Sequence, residues 1–171
     1  MSEQADQPDT DGRLGPAEPE GRPNEQSDLD EVLAVHADFY AAFEGADFDA
    51  MQAVWADDDG VVCVHPVAPP IRGRSDVMRS WLALMANAHY IQFFLTDVEA
   101  SVVGDIASVS CTENVLSAAA DTPVGVFAGG IATATNVLRR TPDGWRLWIH
   151  HASPVISVAD ADDDDLDDEG R

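Results

Sequence analysis

Large apolar side chains are almost absent from the first 26 residues, and a periodic pattern begins only after them. Leu29, Val32, Leu33, His36, Phe39, Tyr40 and Phe43 recur at helical spacing, behind a capping-box-like start in which Ser27 precedes Asp30 by three residues. Gly45 ends this helix. Asp47 caps a second, shorter one with Phe48, Met51, Val54 and Trp55 on its buried side. Val61-Val62-Cys63-Val64 is too short for a helix and strongly β-prone, so it predicts a buried strand. That strand ends at His65-Pro66, and a loop with Pro69, Pro70 and Gly73 leads to a third helix capped by Ser75. Its apolar stripe is Val77, Trp81, Leu84, Met85 and Ala88.

Everything beyond reads as strands. Residues 90–103 form one, Gly104-Asp105 a two-residue hairpin turn, and residues 106–118 alternate with Val109, Cys111, Glu113 and Val115 on one face. Residues 124–140 are interrupted by Gly129-Gly130, expected to be a bulge that curves the sheet. Pro142-Asp143-Gly144 is a turn before the last strand, residues 145–153. The order is helix, helix, strand, helix, then an antiparallel meander. It predicts an α+β fold of three helices and five to six strands.

Charge sets the boundaries of the domain. The formal net charge is -23, and every one of the nine bases is arginine. Residues 1–27 hold seven acids against two arginines, and residues 158–171 hold eight against one. One domain over residues 27–157 is therefore expected, with acidic tails at 1–26 and 158–171 too polar to repay ordering. A field of this sign repels phosphate backbones and anionic bilayers, so neither nucleic acid nor membrane is an expected partner. Cys63 and Cys111 lie in strand patterns and read as buried reduced thiols. No export signal or membrane span is visible, and a cytoplasmic location is expected.

Several residues carry possible chemistry. His65, at the end of an apolar strand, has an imidazole able to move a proton at working pH. His150 and His151 are adjacent on a strand and point to opposite faces, so at most one looks inward; His151 is in phase with Trp145, Leu147 and Ile149, His150 with Trp148, and the pattern selects neither phase. Glu113 on an apolar face is either a pocket acid or the buried partner of Arg139 or Arg140. Asn136, if buried, needs partners for its amide, and a ligand is one option. Tyr40 and His36 lie on the apolar face of the first helix. The run Asp57-Asp58-Asp59 lacks a spaced ligand set and reads as a solvated turn, so no metal site is expected.

Three stretches, FYAAFEGADFDAMQAVWADDD, VCVHP with Gly73 downstream, and ATNVLRRTPDGWRLWIHHASP, together with the element order, resemble the nuclear transport factor 2-like superfamily. Within it the chain is similar to the SnoaL-like group, alongside polyketide cyclases and Δ5-3-ketosteroid isomerase. The resemblance implies a cone in which a curved antiparallel sheet wraps the long N-terminal helix around an apolar cavity. It also implies a homodimer through the sheet. His65 falls where the isomerase has its catalytic aspartate, Asn136 where it has its second aspartate, and Phe39 at its oxyanion tyrosine, with Tyr40 one residue on. All three positions depart from the isomerase. The expected catalytic residues are His65, Asn136 and His151, and the expected pocket residues Tyr40, Trp81, Glu113 and His150. The expected function is binding of a small, largely apolar molecule, with cofactor-free isomerase, dehydratase or cyclase chemistry. The alternative is a non-catalytic homodimeric module for a ligand or a protein.

Overall fold

The first helix, α1 (Glu25–Glu44), presents one continuous buried stripe because Asp28, Val32, His36, Phe39 and Tyr40 fall three or four residues apart. These and all later coordinates come from a computed structural model that describes residues 25–119 and 126–156. Ser27 lies inside α1 and is not its cap, because the helix already includes Glu25. At the other end the amide of Asp47 donates to the Ala42 carbonyl (2.9 Å) and that of Ala46 to Phe43 (3.1 Å), a Schellman closure. The left-handed residue of that closure is Ala46 (φ 49°), one beyond Gly45. Asp47 then caps α2 (Phe48–Val54), accepting from the Ala50 amide at 2.9 Å.

β1 (Val62–Val64) and β2 (Ile71–Arg72) form a short hairpin, β2 occupying what reads in sequence as loop. The next helix, α3 (Arg74–Asn87), is capped by Gly73 rather than Ser75. The turn into it needs φ 85°, which glycine adopts without strain. Its buried stripe is Val77, Met78, Trp81 and Met85; Leu84 is partly exposed where it lines a cavity, and Ala88 already begins the next strand.

The four remaining strands, β3 (Ala88–Val103), β4 (Ile106–Ala119), β5 (Ala128–Thr141) and β6 (Gly144–Pro154), make an antiparallel meander. The sheet order is β2-β1-β6-β5-β4-β3. One pairing breaks the expected antiparallel rule: β1 runs parallel to β6, which makes the sheet mixed. Gly104 (φ 62°) and Gly144 (φ 97°) close the two hairpins.

Curvature arises elsewhere than at the Gly129-Gly130 pair. Those glycines pair in unbroken register with Leu116 and Val115, so the bulge expected there is absent. The register shifts instead between Thr96 and Glu99, where Asp97 adopts φ 53°, and opposite Val137/Leu138, where Trp148 is the extra residue of β6. Each bulge reverses which side chains face α1, so Trp145 and Leu147 point inward before the second bulge and His150 and Ala152 after it. Trp55, Trp145, Phe39, Met51, Leu138 and Leu147 fill the core. Among the described residues, no helix is long and apolar enough to cross a membrane.

Candidate functional site

A cavity of about 260 Å³ opens where α1, α3 and the concave face of the sheet diverge. Its walls are largely aromatic. Phe39, Tyr40 and Phe43 come from α1, Trp81 from α3 and Phe93 from β3. Their rings meet edge to face or tilted: Phe39 lies 5.2 Å from Trp81, and Tyr40 lies 5.0 Å from Phe93. Such contacts fix ring orientation in addition to burying area.

Three ionisable groups besides Tyr40 interrupt this apolar lining: His65, Glu113 and His150. Glu113 projects inward from β4 on the apolar face and accepts a 2.7 Å hydrogen bond from the Tyr40 hydroxyl. The donor for this carboxyl is therefore a tyrosine and neither Arg139 nor Arg140. Burial pushes the Glu113 carboxyl above its ordinary range, and the Tyr40 bond opposes the shift only in part. Burial, followed by the Glu113 and Cys111 charges, raises the Tyr40 phenol too. The same hydroxyl lies 3.5 Å from Cys111 Sγ, which in turn lies 3.8 Å from His36 Nε2. His36 thus sits behind Tyr40 in the core, its pKa lowered by burial to about 4.

His65 follows β1 directly and is half-buried. Its ring stands edge to face on Trp81 at 4.6 Å, and Nε2 lies 3.0 Å from Ser80 Oγ. Burial lowers its pKa. His150 is buried on β6, 5.1 Å from the Phe39 ring and 5.7 Å from Trp81. Its Nδ1 meets Asn136 Oδ1 at 2.7 Å, and its pKa falls to about 3, first through burial and then through the neighbouring histidines.

The predicted site residues therefore divide. Tyr40, His65, Trp81, Glu113 and His150 line one cavity. Asn136 lies behind His150, fully buried and away from the lining, with Nδ2 unpartnered among the described residues. His151 faces the opposite side of the sheet, exposed, 3.2 Å from Ser153 Oγ. The bulge at Trp148 is the reason: alternation counted from Trp145 would carry His151 inward, and the extra residue hands that place to His150. Ser80 and Phe93 were not singled out by the sequence. Phe93 carries a signal in its alternation with Ile91, whereas Ser80 reaches His65 only through packing of α3.

A second, larger depression of about 540 Å³ lies among Arg74, Arg139, Arg140 and Arg146. Its guanidiniums are engaged within the fold. Arg74 binds the carbonyls of Gln52, Trp55 and Ala56 and pairs with Asp57. Arg139 pairs with Asp58, and Arg140 with Asp28 and Asp105. Arg146 turns back to the Trp145 carbonyl. The smaller cavity, where two imidazoles and a carboxyl converge on uncharged partners, is the candidate site.

Residues 32–157 match the SnoaL-like domain family. The chain belongs to the SnoaL-like family. Its fold is that of the wider nuclear transport factor 2-like superfamily. A Streptomyces avermitilis structure, provisionally assigned as a dehydratase of the NTF2-like family, is 46% identical to this SnoaL-like chain. The match covers 78% of this chain and all of that one, with a TM-score of 0.71. A Thiobacillus denitrificans structure, provisionally assigned as a calcium/calmodulin-dependent protein kinase type II association domain, is 37% identical. It covers 72% of this chain and 94% of its own, with a TM-score of 0.63. The F-box protein SKIP8 of Arabidopsis thaliana is 23% identical over 129 residues, which are 75% of this chain. The chain spans about half the length of that curated relative (51%).

Proposed function

We propose that the cavity binds a small, uncharged, largely apolar molecule and acts on it by proton transfer, as a dehydratase or isomerase. The observation that carries this reading is the convergence of Glu113 and its Tyr40 donor with His65 in one aromatic-walled cavity. Burial holds the imidazole in its basic, unprotonated form and favours the protonated acid, the two states that acid–base catalysis needs together. In a dehydration, His65 takes the proton from carbon as the C–O bond breaks. Glu113 gives its proton to the departing hydroxyl, which leaves as water, and a C=C bond remains. In an isomerisation the same acid hydrogen-bonds a carbonyl oxygen while His65 moves the proton. Among the described lining residues there is no arginine, so an anionic ligand would lack a counter-charge. The relative provisionally assigned as a dehydratase supports the reaction class.

The test is a panel of uncharged cyclic hydroxyketones, scored first by thermal stabilisation and then by loss of water or double-bond migration. Turnover should fall about 10²–10⁴-fold in His65→Ala with the circular dichroism unchanged. A fully active variant refutes the role of His65.

A second reading, a dimeric binding module, draws on the outer face of the sheet. There Phe94 and Ile131 remain 53% and 51% exposed around a shallow groove beside Leu116. Exposed apolar area of this kind marks an interaction surface. A second copy of the chain is the proposed occupant, in a cytoplasmic setting that keeps the buried thiols of Cys63 and Cys111 reduced. Sedimentation velocity should show a dimer that Ile131→Asp dissociates; a monomeric parent protein refutes it.

A further inference from the structure

We infer that Ser80 is a positioning residue that fixes His65 as its Nε2–H tautomer and leaves Nδ1 as the ring's basic atom. Ser80 Oγ lies 2.7 Å from the Val77 carbonyl oxygen and 3.0 Å from His65 Nε2. A hydroxyl owns one proton and two acceptor lone pairs, and a carbonyl oxygen has no proton to offer. At 2.7 Å the Oγ–carbonyl contact is attractive only if the serine proton lies on it. The serine then faces His65 with a lone pair alone, and Nε2 must supply the hydrogen. In the neutral imidazole that leaves Nδ1 unprotonated.

The other groups around the ring do not reverse this choice. Cys63 Sγ lies 3.7 Å from Nε2 and 3.8 Å from Nδ1, near enough equidistant to select neither. Burial keeps that thiol protonated, so it imposes no charge on the ring. Trp81 meets the ring edge to face at 4.6 Å and fixes its plane. The next residue is Pro66, which has no amide hydrogen to offer Nδ1. His150, another titratable lining group, on the strand paired with β1, is held neutral by burial.

The functional meaning rests on the proposed role of His65 as base. A proton taken from the substrate arrives on Nδ1. The resulting imidazolium keeps its Nε2–H on Ser80, whose own proton stays on Val77. Ser80 orients the ring and accepts a hydrogen bond without taking the proton, in the manner of outer partners that set a histidine's tautomer.

The test is a long-range ¹H–¹⁵N correlation spectrum of the full chain labelled at histidine nitrogen, at pH 7.5. The His65 signals are assigned by their loss in His65→Gln. The expected wild-type pattern is that of the pure Nε2–H tautomer. In Ser80→Ala it should collapse to a mixture of tautomers, and in Ser80→Thr, which keeps a hydroxyl, the pure pattern should return. An Nδ1–H pattern in the wild type overturns the proposal, even if Ser80→Ala fails to fold. A pure Nε2–H pattern persisting in Ser80→Ala overturns it as well. No substrate is needed, so this result and the turnover of His65→Ala can fail independently.

Discussion

Around the β5–β6 hairpin, Asp28, Asp58 and Asp105 meet Arg139 and Arg140 as full charges, whereas in the cavity Glu113, His65 and His150 are pushed toward their neutral forms. Both regions face the same problem, the cost of taking an ionisable group out of water. Near the hairpin the solution is pairing. Arg140 bonds Asp28 at 2.5 Å and lies 4.4 Å above the Trp145 ring, while Trp145 Nε1 donates to the same carboxylate at 3.3 Å. The Arg140 bond, the largest influence, draws the Asp28 carboxyl below its ordinary range. Among the described residues lining the cavity there is no arginine, and a shift toward the neutral form takes the place of pairing. A region built the first way holds its elements together. A region built the second way keeps its buried groups closer to neutral.

Truncating the paired region tests its structural side most severely. Trp145→Ala removes a fully buried indole and the surface on which Arg140 rests, and should cost about 3–5 kcal/mol in urea unfolding. A loss below 1 kcal/mol would mean that this cluster does not hold the hairpin to α1. In the cavity, Tyr40→Phe keeps the ring and removes the donor to Glu113. It should cost about 1–3 kcal/mol, the penalty for leaving a buried acceptor without its partner. An unchanged stability would show that Glu113 finds water or another donor at once.

Acid sharpens the contrast with a smaller effect per step. His36 and His150 titrate at about 4 and about 3 in the folded chain, against about 6.5 when unfolded. Between those values the unfolded chain binds more protons, so stability falls as pH drops from about 6.5 toward 4. The slope is up to about 1.4 kcal/mol per pH unit for each histidine. Glu113, displaced upward, works in the opposite sense and gains stability as pH falls. Urea titrations at pH 6.5, 5.5 and 4.5 should therefore show a steeper acid loss in Glu113→Gln than in the parent protein. Parallel curves would mean that Glu113 is not shifted.

The elements set by local chemistry were legible in the sequence. Asp47 caps α2, Gly104-Asp105 turns the chain, the turn read at Pro142-Asp143-Gly144 closes at Pro142-Asp143, and the stripe on α1 is buried as its spacing requires. What was not legible depends on partners distant in the chain. The parallel pairing of β1 with β6 has no local signature, and neither does the short strand β2. The Gly129-Gly130 pair suggested a bulge that the register does not contain, while the bulge at Trp148 left no mark in composition. That single extra residue decides that His150 enters the cavity and His151 leaves it. Glu113 was visible as an acid on an apolar face, but its donor, Tyr40, is 73 residues away and became identifiable only with the fold.

Burial is expected to make Glu113 keep its proton to a higher pH than a free carboxyl does. Infrared difference spectra of the parent protein and Glu113→Gln at pH 6 test this directly, because an ordinary glutamate (pKa about 4.3) is almost fully ionised there. The predicted result is a protonated-carboxyl C=O band in the parent protein that disappears in the variant. Superimposable spectra in that region, with a carboxylate band lost in their place, would contradict it and leave the cavity with a charged base and no acid.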